Sequence, residues 1–259
     1  MVQGDYEEFK KEVFKMTKID LSAYKEKQMR RRIDSLITRN SFKNYPDYAK
    51  GLKEKGELFD EFVNYITINV SEFYRNPDQW SLMDKTFIPE LRKKFGDNLK
   101  IWSAACSTGD EPYSLVMAFS RHLPLNKIKI NATDLDKTVM AKAKVGLYAA
   151  KSVVGVPKDL KEKYFEKVGP SFQIKDEIKK QVTFKEHNLL KDPFPKDMDL
   201  IVCRNVLIYF TEEAKDEVFR KFALSLKKGG ILFIGSTEQI INYKDMGYER
   251  RNSFFYEKI

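Results

Sequence analysis

Apolar positions recur at helical spacing through the first part of the chain. Phe9, Val13 and Phe14, then Met29, Ile33, Leu36 and Ile37, then Leu58, Phe62, Tyr65 and Ile66 each fall on one helical face. Strand signals are scarce there, and polar breaks at Asn40-Ser41 and Lys55-Gly56 separate the segments. The pattern predicts an all-α N-terminal domain over residues 1–75. A linker and helix follow over 76–97, with Asn76-Pro77 as a turn or helix start.

From about Asn98 the period shortens. Leu99 to Ala104 and Ile128 to Thr133 read as strands, as do Asp199 to Cys203 and Ile231 to Gly235. Between them lie helical runs, one carrying Tyr113, Leu115, Val116 and Phe119, one over residues 136–145, and one carrying Ala214, Val218, Phe222 and Leu226. Alternating strands and helices predict an α/β domain over 98–259, a mostly parallel sheet with helices on both faces. Residues 155–186 break the alternation. Phe172 to Ile174 and Val182 to Phe184 read as short antiparallel strands of a small inserted sheet, with a long decorated loop as the alternative.

Composition narrows the class. An apolar fraction of 42%, with 19 Phe and 13 Tyr, is ample for a packed core and argues against disorder. The first eight residues carry no basic start or apolar run, and no stretch approaches the ~18 apolar residues of a membrane span. A soluble, cytoplasmic protein without membrane insertion is expected. Cys106 and Cys203 border apolar strands and read as reduced, buried thiols. His122 and His187 are the two histidines, too few and too far apart for a zinc cluster, so no metal is expected. The net charge of +9 attracts nucleic acid, anionic membrane or acidic protein alike and does not choose among them.

In an open parallel sheet, ligands collect at the carboxyl ends of the strands near the switch point. Three segments of this chain should converge there. The loop Ala105 to Glu111 contains one glycine, Gly109, which permits a tight turn before a helix N-terminus. The three spaced glycines of dinucleotide enzymes are missing, which argues against NAD or FAD. Asp134 lies 25 residues beyond Gly109 at the end of the next strand, where a carboxylate can accept both hydroxyls of a ribose. A helix N-cap is the alternative for Asp134, because both it and Asp136 precede a helix. The third segment, Cys203-Arg204-Asn205-Val206, is a polar break directly after an apolar strand.

Assembled in order, these residues resemble the CheR-type chemotaxis receptor methyltransferases. The likeness rests on Asn69-Val70-Ser71-Glu72-Phe73-Tyr74-Arg75-Asn76, on Trp102 to Ser114, on Ala132-Thr133-Asp134-Leu135-Asp136, on His187-Asn188-Leu189-Leu190, and on Cys203 to Phe210. The resemblance implies a Rossmann-like methyltransferase domain with a small antiparallel insertion behind an all-α domain. It implies S-adenosylmethionine as methyl donor, S-adenosylhomocysteine as product, and receptor glutamates as acceptors. By position, Asn69, Ser71, Arg75, Gly109, Glu111, Asp134, Asn188, Leu189, Asn205 and Val206 would hold the cofactor. Ser71 stands where the family often has Thr and Asp110 where Glu is common, which keeps hydroxyl and charge.

Methylating a carboxylate calls for alignment rather than proton removal, since a glutamate with pKa ~4.3 is already ionised. Arg75 is the first catalytic candidate, a forked donor matched to a carboxylate, with a domain-linking ion pair as its alternative. Tyr209 is the second, a phenol that could donate to substrate or cofactor, with a satisfied core aromatic as its alternative. Lys25, Lys27, Arg30, Arg31 and Arg32 cluster on one predicted helix, with Arg31 opposite the apolar stripe. Lys27, Arg30, Arg31 and Arg32 form a candidate docking face for an acidic receptor helix, against the ordinary reading of a solvated helix surface.

Two rivals remain at this level. A nucleic acid methyltransferase would share the fold, but the place of its Asn/Asp-Pro-Pro-aromatic loop holds Arg204-Asn205-Val206-Leu207 without proline, so no nucleic acid partner is expected. A catalytically dead relative acting as a scaffold is disfavoured by the joint presence of Gly109, Glu111, Asp134 and Asn205.

Overall fold

A computed structural model describes every residue except Met1, Gln3 and Lys55, so the break expected at Lys55-Gly56 and the N-terminal stretch lie partly outside the described residues. The chain divides into two compact units. The first comprises residues up to Asn69 together with Leu207–Lys215, and the second Val70–Val206 with Asp216–Ile259.

The first unit is helical. Its elements are α1 (Tyr6–Thr17), α2 (Glu26–Arg39), α3 (Tyr45–Lys53) and α4 (Glu57–Thr67). Local capping explains where they begin. Asp5 accepts from the Glu7 and Glu8 amides at the start of α1, and Asn44 accepts from Asp47 at the start of α3. The stripe of α2 buries Met29, Ile33, Leu36 and Ile37, as its periodicity predicts. In α1 the buried face is Tyr6, Phe9 and Val13, while Phe14 stays 38% exposed. Phe9, Tyr45, Tyr48 and Phe62 interlock with ring centroids 5.1 to 6.2 Å apart. Leu207–Lys215 joins this unit by backbone bonds. Tyr209 O accepts from Lys25 N (2.9 Å), Thr211 N donates to Ala23 O (2.9 Å), and Phe210 meets Tyr24 edge-on at 4.9 Å.

The second unit is a twisted sheet with flanking helices. Pro77–Leu82 (α5) leads through a π-helical stretch, Met83–Phe87, into α6 (Ile88–Phe95), with Pro77 at the first helical position. There follow β1 (Ile101–Ala104), α7 (Asp110–Phe119), β2 (Ile130–Asp134), α8 (Lys137–Val145), β3 (Leu147–Ala149), α9 (Lys158–Tyr164), β4 (Phe165–Val168) and β5 (Ser171–Ile174). Then come α10 (Asp176–Lys179), β6 (Val182–Glu186), β7 (Met198–Cys203), α11 (Glu212–Ser225), β8 (Leu226–Ile234), β9 (Tyr248–Asn252) and β10 (Phe255–Lys258). Among the described residues the main sheet has seven strands in the order β6-β2-β1-β7-β8-β10-β9. Strands β6 to β8 run parallel, and the last two add an antiparallel hairpin. Every residue of β1 and β7 is buried, as expected of central strands covered on both faces.

Three expectations change. Val182 to Phe184 does not belong to the inserted sheet: β6 pairs parallel with β2, Val182 opposite Ile130, at the edge of the main sheet. The insertion is the three-stranded antiparallel sheet β3-β5-β4, which begins at Leu147. Its strands are so short that their composition does not reveal which sheet will take them. Residues 70–75, read as the tail of the helical domain, are irregular and group with the second unit. Phe73 is buried there, edge-on to Tyr148 and Phe165. Leu226 opens β8 rather than closing α11.

Candidate functional site

The strand order places the switch point between β1 and β7, because the chain leaves β1 towards β2 on one side and reaches β7 on the other. A cleft opens at their carboxyl ends. Val70, Ser71, Glu72, Arg75, Ala105, Cys106, Ser107, Glu111, Arg204 and Asn205 line about 350 Å³ of space, part of it open to solvent.

Three walls meet there. The first is the irregular segment before α5. Tyr74 N donates to Ser114 Oγ (3.1 Å), and Arg75 O accepts from Trp80 Nε1 (3.0 Å) and Arg204 Nη2 (2.6 Å). Gly155 packs so closely on this backbone that a Cβ would sit 2.4 Å from Phe73 O. The Arg75 backbone is thus pinned, while its side chain remains 33% exposed with Glu72 4.0 Å away.

The second wall is the loop after β1. Ser107 N donates to Asp134 Oδ2 (2.7 Å), and Asp134 Oδ1 accepts from Asp136 N (3.0 Å). Asp136, not Asp134, caps α8, accepting from the Thr138 and Val139 amides. The capping alternative therefore falls to Asp136, and Asp134 is a buried carboxylate against the loop. Burial pushes its pKa up. The same cause raises Asp110, which Thr108 and Ser71 hydroxyls partly offset. Glu111, in the first turn of α7, is pushed up to about 7 by burial, against the pull of Arg204 and a hydrogen bond from Ser103 Oγ (2.7 Å). Gly109 has φ +87°, and a Cβ on it would lie 2.8 Å from the Ala143 Cβ. Its lack of a side chain lets α7 pack closely on α8.

The third wall is the break after β7. Buried Arg204 donates from Nη2 to Arg75 O, to Asn76 Oδ1 (3.0 Å) and to Gln79 Oε1 (3.0 Å), and its Nη1 lies 3.9 Å from Glu111 Oε2. Its guanidinium also covers the Phe233 ring at 4.7 Å. Asn205 and Val206 are held from below by Glu238, which takes both their amides.

Backbone strain concentrates around this cleft. Tyr74, Asn76, Ala105, Ser107 and Asn205 have φ of 51°, 62°, 63°, 47° and 61°. The left-handed region costs an L-residue about 1–2 kcal/mol, and such outliers collect where a site over-determines the backbone. Three atoms of cleft-lining residues, Ser107 Oγ, Arg204 Nε and Asn205 Oδ1, are buried without a hydrogen-bond partner among the described residues.

Of the residues singled out from the sequence, Ser71, Arg75, Glu111 and Asn205 share the cleft, with Asp134 one hydrogen bond behind it and Val206 beside Asn205. Asn188 and Leu189 follow the next strand end but one, tied to Asp134 O through His187 N (2.9 Å). The Asn188 side-chain oxygen accepts from Leu190 N (2.9 Å) in a local turn. Asn69 belongs to the first unit, where it bonds Thr67 and Asn64. Tyr209 also falls in the first unit, lining a pocket with Lys25, Gln28, Met29, Arg31, Arg32 and Ile68. The sequence names Arg204 only within its polar break and assigns its side chain no role, and it passes over Glu238. Glu238 lies four residues after the end of β8, and the rule applied after Cys203, that polar residues following an apolar strand face the crevice, would have found it.

A family model for the SAM-binding domain of CheR methyltransferases matches residues 69–253, and one for the all-alpha domain of CheR methyltransferases matches residues 4–67. The chain belongs to the CheR methyltransferase family. It is 42% identical to a chemotaxis protein methyltransferase of Listeria monocytogenes over 99% of this chain and 98% of the relative. The corresponding protein of Borreliella burgdorferi is 36% identical over 89% and 86%. The domain is thus an S-adenosylmethionine-binding methyltransferase domain of Rossmann-like form, with an all-α N-terminal domain and a small antiparallel sheet.

The CheR cleft suits that cofactor. S-adenosylmethionine brings a sulfonium and an ammonium, both cationic, and the cleft offers the Glu111 and Glu72 carboxylates beside Arg75 and Arg204, with the buried Asp134 carboxylate one hydrogen bond behind its loop. Among the described residues, no group of three His, Cys, Asp or Glu side chains is placed to hold a metal ion. No helix among them is long and apolar enough to cross a membrane.

Proposed function

We propose that the chain transfers the methyl group of S-adenosylmethionine to glutamate side chains on the cytoplasmic domains of chemotaxis receptors. The products are glutamate methyl esters and S-adenosylhomocysteine. The observation that carries this reading is the cleft between β1 and β7, lined by Glu111 with Asp134 behind its loop and edged by the half-exposed Arg75, in a chain whose relatives are chemotaxis protein methyltransferases.

When bound, S-adenosylmethionine supplies an electrophilic methyl group on a positively charged sulfur. The acceptor carboxylate is already ionised at neutral pH, so no side chain has to remove a proton. The described residues that line the cleft include no histidine. His122 pairs with Asp84 at 2.7 Å, and His187 lies edge-on to Trp102. What the residues must do is hold, align and keep water out.

Ser71, Glu111, Asp134 and Asn205 hold the donor, with Gly109, Asn188, Leu189 and Val206 completing its surroundings. Arg75 orients the incoming carboxylate. Its clamped carbonyl fixes where the side chain starts, and its exposure leaves the guanidinium open to a substrate. Tyr209, in the first unit beside Lys25, Arg31 and Arg32, is the second candidate orienting group. Receptor docking falls to α2. Lys27 and Arg31 are exposed, whereas Arg30 lies over the Tyr6 ring (5.2 Å) and Arg32 over Tyr65 (4.5 Å). Arg31 and Lys27 are therefore the residues of this face that reach an acidic receptor helix.

The test is incorporation of tritiated methyl groups with receptor cytoplasmic fragments and RNA side by side. Base-labile label on the receptor alone is expected. Alkali-stable label, or label in RNA, overturns the reading.

A further inference from the structure

Among the buried charges to which the mechanism above gives no task is Glu238. Glu238 is 5% exposed, behind the cleft, and its carboxylate accepts from three backbone amides: Gly235 N (2.7 Å) and Asn205 N (2.9 Å) on Oε2, and Val206 N (3.1 Å) on Oε1. Burying a carboxylate is costly, and three backbone donors offset the cost only where the backbone comes to meet it. Here the backbone does so in an unfavourable conformation, since Asn205 sits at φ 61°.

Gly235 carries the same mark. Its φ lies outside the left-handed region, so the fold does not need glycine there for conformational freedom. A Cβ would instead lie 2.6 Å from Asn205 N and 2.8 Å from the Asn205 amide group. Thr237 Oγ1 then faces Asn205 Nδ2 at 3.4 Å, which sets the amide with its nitrogen towards Thr237 and leaves Oδ1 buried without a partner. Gly235, Thr237 and Glu238 thus converge on one side chain, and the atom they leave unpaired is an acceptor in the cleft.

We propose that Glu238 is a positioning residue, holding Asn205 in its left-handed turn so that the Asn205 side-chain oxygen meets an N–H or O–H donor of the methyl donor. The inference rests on the reading of the cleft as the S-adenosylmethionine site. The ligand chemistry recognised is a hydrogen-bond donor, an ammonium, an amino group or a ribose hydroxyl.

The test is calorimetric binding of S-adenosylhomocysteine to the full chain, with KM and kcat for methyl transfer. Glu238→Gln keeps the size of the side chain but turns a donor towards the amides. Gly235→Ala leaves the carboxylate in place and displaces Asn205. Each variant should weaken binding by about tenfold or more, the worth of a lost hydrogen bond in a buried site. KM for S-adenosylmethionine should rise while KM for the receptor fragment stays within about twofold, since neither residue reaches the acceptor. In an Asn205→Ala background both substitutions should lose most of their effect on binding, because the side-chain contact that they position is already gone. A purely structural carboxylate would give the same loss with or without Asn205, and that result overturns the proposal, as does wild-type affinity in Glu238→Gln. If Glu238→Gln does not fold, Gly235→Ala with and without Asn205→Ala decides alone. Absence of binding by the unaltered protein sinks the cofactor reading and this inference with it. Normal binding with a silent Gly235→Ala sinks this inference only.

Discussion

The two compact units spend their charges in opposite ways. In the helical unit the polar face of α2 keeps Lys27 and Arg31 in water, where they cost folding nothing and act at a distance. In the methyltransferase unit Arg204 is buried in one cleft beside Glu111, with Asp134 and Glu238 buried just behind it, each held by hydrogen bonds of fixed geometry. The difference separates two kinds of recognition. Exposed cations steer a large acidic partner loosely, whereas desolvated groups demand one ligand in one pose and cost stability until it arrives. Substitutions in the first unit should therefore have small, additive, salt-sensitive effects, and those in the second large, coupled, pH-sensitive ones.

The largest effect is expected at Arg75. Arg75→Ala removes the guanidinium but keeps the carbonyl that Arg204 and Trp80 hold, so the wall stays in place. Losing one donor aimed at the reacting group typically costs about 10²–10³-fold in turnover. Measured kcat should fall by about that much, with a far smaller change in S-adenosylhomocysteine affinity. An equal loss in both would make Arg75 a cofactor ligand only.

Glu111 comes next, through pH. A cationic ligand prefers the ionised carboxylate, and burial holds Glu111 near pKa 7. Affinity for S-adenosylmethionine should fall as pH drops below about 7, by up to about tenfold per pH unit. Stability runs the other way. A folded pKa raised above the ordinary carboxylate value of 4.5 means stability that is full below pH 4.5 and is lost as pH rises to about 7. Glu111→Gln should thus raise the melting temperature of the ligand-free protein above pH 7 while weakening cofactor binding and flattening its pH dependence. A variant that binds as before with the same pH profile would remove Glu111 from the site.

How far the sequence reveals these regions differs for physical reasons. The buried stripe of α2 and the strands β1, β2, β7 and β8 are legible because each buries a face or a whole run large enough to impose its period. The inserted sheet is not, since three- and four-residue strands carry too few positions to show which partner they will pair with. In the cleft, residues on the rim such as Ser71, Arg75 and Asn205 stand out as polar breaks after apolar runs or within a family motif. Glu238 is in sequence no more than a polar residue after an apolar strand, because its role depends on three backbone amides that only the folded loop brings to it. Asp134 and Asp136 are alike in sequence and distinct in space. Asp136→Ala should cost about 1 kcal/mol of stability, the worth of an N-cap, measured by denaturant unfolding, with little change in cofactor affinity. Asp134→Asn should show the reverse pattern, and equal behaviour would dissolve the distinction.

The smallest effects belong to the helical unit, and there they separate two arginines one residue apart. Arg32 is spent inside its own unit, with Nη2 donating to Tyr65 O (2.6 Å) and the guanidinium stacked on the Tyr65 ring. Arg32→Ala should lower stability by about 1–2 kcal/mol, and an effect of salt on receptor binding should be absent. Arg31 is exposed and carries no ion pair among the described residues, so its removal leaves the fold intact. Reversing it, Arg31→Glu, should raise KM for receptor fragments a few-fold at low ionic strength and leave kcat unchanged. The difference should vanish as the Debye length contracts to about 3 Å at 1 M salt. Unchanged KM at low salt would mean that α2 shows only an ordinary solvated surface, and the acidic receptor helix would have to be sought against another face.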